Sequence, residues 1–191
     1  MAGSTPVGPY HLDLVPNASL EIMHVRPAGV PNTAPPLYSI SYEAAKKSPI
    51  TLYQGDITTR QVLGEARFHT LSSTVDIISR SRTGTMKLDT DSGINAFMCE
   101  NLGSFGWHMD QMAMQSMELR DERGTRLATM RLGNMGDGLM DATATVKKDT
   151  LDILVPCEDY FMDLVLLSGM VAKTLGEKQV VEAASNFGEV L

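Results

Sequence analysis

Three basic residues crowd the stretch "SRSRTGTMK": Arg80, Arg82 and Lys87. Residues two apart on a strand share a face, and a hairpin return would bring Lys87 beside the two arginines. Two planar guanidinium forks and one ammonium in that arrangement could grip a phosphate. A solvated hairpin end uses the same residues, because charged turns are ordinary surface. A second group, Arg120, Arg123 and Arg126, is diluted by Asp121 and Glu122.

Other chemistry-bearing patterns fall short of their templates. "DTDSGINAFMCE" offers Asp89, Asp91 and Glu100 in the manner of a calcium loop, but glycine is fifth and isoleucine sixth where an EF-hand needs an acid or amide and then glycine. "WHMDQMAMQSME" sets Met109, Met112, Met114 and Met117 beside His108, a set of soft donors for Cu(I). Thirteen methionines spread along the chain favour core filling instead. His11, His24, His69 and His108 are scattered, and neither Cys99 nor Cys157 has a CxxC partner. "LGNMGDG" lies between strand-like runs and reads as a hairpin loop, with Asp137 and Asp141 as surface acids beside it. No nucleophile elbow or nucleotide-binding glycine motif is present, so no cofactor is expected and no catalytic residue is assigned. Asp163 stands apart. It lies in an apolar run, and a buried carboxylate needs a partner or acquires a raised pKa.

The totals describe one ordinary globular domain: 191 residues, 43% hydrophobic, 20% charged. A formal charge of −7 argues against a general nucleic-acid binder. "MAGSTPVGPYHLDLVPNAS" has neither a basic start nor an apolar h-region, so a cytoplasmic protein is expected, at most peripheral to a membrane.

The elements that would position these residues are short. Seven of the nine prolines lie in the first 36 residues, so 1–36 reads as a proline-rich, partly disordered arm, although Tyr10–Val15 and Leu20–Arg26 could be strands. From Leu37 onward, period-two alternation predicts strands near 37–42, 49–54, 62–69, 74–80, 84–89, 94–99, 104–108, 114–120, 125–132, 139–147 and 150–155. Strands at such spacing with no helix between them mean an antiparallel sandwich or barrel.

"EDYFMDLVLLSGMVAKTLGEK" breaks the pattern. Acids at its start, Lys173 near its end and Gly176 as a stop predict a helix over 157–175. Leu164 to Ala172 carries no charge, and a helix apolar all round is buried in membrane or in protein. Asp159, Asp163 and Lys173 leave it too short to span a bilayer, so no transmembrane segment is expected. A β-barrel enclosing one hydrophobic helix satisfies both halves of the chain, with 37–178 as the barrel domain and 179–191 as a tail.

That order of elements resembles the Tubby C-terminal-like superfamily, in particular its LURP-one-related branch and similar fungal proteins. The resemblance is carried by "VLGEARFH" with "TVDIISR", by "FGWH" before "LRDERGTRLATMRL", and by "DTLDILVPCEDYFMDLVLLSGMVAKTL". It implies a barrel around a central helix and a non-enzymatic role. Tubby proteins bind phosphoinositides through basic residues on the barrel wall. The expectation is therefore a domain that binds an anionic phospholipid headgroup or a protein partner at a membrane surface, through Arg80, Arg82 and Lys87. The competing expectation is a soluble scaffold or regulatory protein without lipid affinity. An enzyme with a pocket around Asp163 at the barrel mouth is a third.

Overall fold

The computed structural model describes residues 8–17, 21–42, 49–69, 74–80, 82–88, 94–99, 102–109, 115–133 and 148–188. Alternation in the sequence becomes alternation in space. In β6 (Thr74–Ser79) and β12 (Asp149–Ile153) every second side chain is buried, and β10 (Ser116–Asp121) follows the same rule over most of its length. The other strands are β1 (Tyr10–Asn17), β2 (Ile22–Pro27), β3 (Tyr38–Ser41), β4 (Ile50–Gln54), β5 (Val62–Phe68), β7 (Arg82–Leu88), β8 (Ile94–Cys99), β9 (Gly103–Met109) and β11 (Arg126–Arg131). Each pairs antiparallel with its chain neighbours, and β1 pairs with β12, so the twelve strands form a closed barrel without a free edge. The strand expected over 139–147 lies outside the described residues.

Closure corrects the reading of residues 1–36 as an arm. Residues from Tyr10 onward are wall: β1 sits between β12 and β2, and β2 continues to β3. The prolines misled because most of them avoid the ladder. Pro9 precedes β1, Pro27 ends β2, and Pro31, Pro35 and Pro36 occupy the connection to β3. Pro16 lies inside β1, one residue from its end.

The helix α1 (Asp159–Gly188) runs through the barrel. Leu164 to Val171 are all buried, Gly169 among them. A Cβ on Gly169 would stand 2.8 Å from Met130 Cε of β11 and 3.1 Å from the Trp107 ring of β9. Across the lumen, a Cβ on Gly64 of β5 would meet Leu167 at 2.9 Å and the Ile78 carbonyl at 2.6 Å. At Gly64 the Ile78 carbonyl, a backbone atom of the neighbouring strand, leaves no room for a side chain, and at Gly169 the bare backbone lets the helix pack directly on the Met130 tip and the Trp107 ring. The indole N–H of Trp107 donates to Ser168 Oγ at 2.9 Å, so the one polar atom of that ring is satisfied inside the core.

The helix is longer than expected. It continues past Gly176 to Gly188, so 179–188 is helical and Gly176 is interior. Gly176 faces the Met109 side chain, and its small size serves packing rather than a C-terminal cap. Thirty residues at ~1.5 Å per residue exceed any wall strand, so α1 outruns the barrel at its C-terminal end.

Candidate functional site: the mouth where the helix begins

Antiparallel order brings the starts of the odd-numbered strands and the ends of the even-numbered ones to one mouth, and α1 begins there. Asp163 is one turn into the helix and fully shielded from solvent. Its Oδ2 accepts from Ser79 Oγ at 2.9 Å and from Arg80 Nε at 2.6 Å, while Oδ1 is buried with no protein partner. Arg80 forms the turn after β6 with φ +46°, a left-handed backbone that swings its side chain over the mouth. Its Nη1 also lies 3.8 Å from Asp159, at the start of the helix.

Burial sets the electrostatics of this mouth. Desolvation raises the pKa of Asp163, outweighing the hydrogen bonds from Arg80 and Ser79 that pull it down. The same carboxylate holds Arg80 protonated ever more firmly. Tyr38 is pushed up to about 12 by burial first and by the charges of Asp163 and Asp159 next. Cys157 is pushed up to about 11 by burial, with Asp159 adding to it. The Tyr38 phenol and the Cys157 thiol therefore stay protonated at neutral pH, while Asp163 is engaged by Arg80 and Ser79.

Two residues singled out independently in the sequence, Arg80 and Asp163, thus meet. The expected phosphate grip does not assemble. Arg80 and Arg82 do not share a strand face, because Arg80 is in the turn and β7 starts at Arg82, opposite Ser79. Lys87 pairs with Thr74 toward the far mouth, five residues along β7 from Arg82 and so roughly 16 Å away at ~3.3 Å per residue. β6 ends one residue and β7 begins two residues earlier than the alternation implied, which moves Lys87 further from the arginines.

The remaining motifs also resolve. Met117 points into the core, and Met109 lies against Gly176, while His108 stands opposite Glu118 on the wall. Met112, Met114, Asp89, Asp91, Glu100, Asp137 and Asp141 lie outside the described residues. Among the described residues no group of three or more His, Cys, Asp or Glu side chains is placed to hold a metal ion.

Two features of the mouth and wall were invisible in sequence. Among the described residues the exposed large apolar side chains are Leu37, Val62, Met98, Leu102 and Leu154. All of them belong to this mouth: Leu37, Leu102 and Leu154 adjoin ends of β3, β9 and β12, Val62 begins β5, and Met98 is next to last in β8. On the wall, the second basic group is regrouped by a bulge. The β10–β11 register shifts between Leu119 and Arg120, which turns Arg126 outward to the face of Thr129 and Arg131. Arg120 and Arg126 converge on Glu118, while Arg123 stays in the turn, where its N–H caps Asp121.

Fold and site together define a closed antiparallel β-barrel plugged by its own helix. Comparison with family models, with curated proteins and with solved structures finds no match for the chain. No helix among the described residues is long and apolar enough to cross a membrane.

Proposed function

We propose that the protein is a binding module, not a catalyst, and that it docks through the helix-start mouth onto a membrane surface. With the lumen occupied by α1, a ligand must be met on the wall or at a mouth. The observation that carries the reading is the gathering of the exposed large apolar side chains at one mouth, where Arg80 and Arg82 also lie. The resemblance to the Tubby C-terminal-like superfamily, whose Tubby proteins bind phosphoinositides, supports the same reading.

Magnitudes favour apolar insertion over charge attraction. Fully burying one Leu, Val or Met yields ~1.5–3 kcal/mol, so half-burying the rim side chains yields several kcal/mol together. An anionic leaflet adds ~1 kcal/mol per net basic residue. Among the described residues at this mouth the signs balance, with Arg60, Arg80, Arg82, Arg123 and Arg126 against Asp56, Asp121, Glu122, Glu158 and Asp159. Headgroup charge therefore contributes selectivity at most.

Flotation with vesicles tests the reading. The wild-type protein should float with vesicles of phosphatidylcholine containing phosphoinositide, and Leu37→Ser with Leu102→Ser and Met98→Ser should abolish it while leaving the circular dichroism unchanged. A second reading, a protein-interaction domain without lipid affinity, is favoured by the net charge of −7. Absence of flotation at both low and near-physiological salt would decide for it.

A further inference from the structure

The outer face of β10, β11 and β12 carries a groove of about 610 Å³ that includes Glu118, Arg126, Thr129, Arg131 and Asp152. Glu118, Thr129 and Asp152 stand opposite one another across the three strands, forming one polar row. The carboxylates at either side of that row are already satisfied. Glu118 accepts from Arg120 at 2.7 Å and from Arg126 at 3.0 Å. Asp152 pairs with His11 at 2.8 Å and with Arg131 at 3.3 Å.

The arginines are not used up in the same way. Arg126 and Arg131 are 55% and 65% exposed, and among the described residues each makes a single ion pair. A guanidinium has five N–H donors, so each retains a fork directed to solvent. The β11 bulge places both on one face, five residues apart, which is about 16 Å along the strand. A flat anionic surface would meet the carboxylates as readily as the arginines. A narrow chain lying along β11 can touch the two arginines while passing the neutralised acids, and a closed barrel offers it no strand edge to join.

We infer that this groove is a recognition site for an extended acidic segment of a partner protein, with carboxylate or phosphate groups about five residues apart seated on Arg126 and Arg131. Recognition is by side-chain forks, bidentate where geometry permits.

The test uses the full chain and a fluorescein-labelled Gly/Ser peptide with two glutamates five residues apart, its phosphoserine counterpart and a neutral Gly/Ser peptide, in anisotropy titrations. The acidic peptides should bind, the neutral one should not, and raising salt from 50 to 200 mM should weaken binding several-fold. Arg126→Gln with Arg131→Gln should weaken Kd at least about tenfold, or ~1.4 kcal/mol. Arg123→Gln, in the neighbouring turn, should leave it unchanged. Equal binding of the neutral peptide, indifference to the double substitution, or no binding of either acidic peptide at millimolar concentration would overturn the inference. Displacement by inorganic phosphate at the same concentration as peptide would overturn it too, because it would mean a single-anion site.

Discussion

Arg80 and Asp163 lie 83 residues apart in the chain, yet Arg80 Nε donates to Asp163 Oδ2 at 2.6 Å and ties the first turns of the central helix to the wall. At the other end of the buried segment Lys173 pairs with Asp149 of β12. The helix therefore presents an acid at one mouth and a base at the other, each against its complement. A slid or inverted helix would bury both without partners, a penalty of several kcal/mol per ion. These pins set the register of α1 in its barrel, which an all-round apolar surface cannot do.

Removing Arg80 should cost more than removing an exposed arginine. Arg80 is 38% exposed, so Arg80→Ala should fall between the ~1 kcal/mol of a surface pair and the ~3–5 kcal/mol of a wholly buried one. Asp163→Asn should cost less, and adding it to Arg80→Ala should restore part of the loss. Urea unfolding of the cycle measures this, and an Arg80→Ala no worse than Arg123→Ala would refute the pin.

Trp107 is the single tryptophan and reports on the helix–wall contact directly. Its emission should be blue-shifted in the native protein. Ser168→Ala leaves the buried indole N–H without its acceptor, at about 1–3 kcal/mol. Gly169→Val should overpack the site against Met130 and Trp107 at a similar or greater cost. Unchanged unfolding midpoints in both variants would contradict the packing.

Both cysteines should be slow to react. Burial raises the Cys99 thiol and pushes Cys157 up to about 11, so at pH 7–8 neither presents appreciable thiolate. A disulfide reagent should titrate both only upon unfolding. A fast native phase amounting to one thiol would show that one of them is open.

Acid should weaken the fold through the half-buried histidines. Burial lowers His24 and His108, and Arg26 and Arg120 respectively lower them further. Their folded pKa values lie below the unfolded value of about 6.5, so the unfolded chain takes up protons first as pH falls. Stability is complete above that value and declines as pH drops through the folded pKa values. His24→Gln with His108→Gln should flatten the slope between pH 7 and 5. Asp163 acts oppositely: its raised pKa favours the fold below about pH 4 and loses that advantage as pH rises, so Asp163→Asn should flatten a separate, oppositely signed slope.

Local pattern in the sequence was sufficient for the described strands from Leu37 onward and for the buried part of the helix. Alternation from Leu37 onward and the uncharged run Leu164–Ala172 are properties of neighbouring residues, and short-range periodicity reads them directly. Asp163 stood out for the same reason, as a charge inside that run. Composition misled where one residue type serves two ends: the early prolines border strands, and Gly176 packs where a helix stop was expected.

Tertiary structure alone decided the rest. Barrel closure by β1 against β12, the meeting of Arg80 with Asp163 and of Trp107 with Ser168, the gathering of apolar rim residues from distant turns, and the bulge that turns Arg126 outward all join residues far apart in sequence. None has a periodicity, because each arises only when the strands fix their register and the ring closes around the helix.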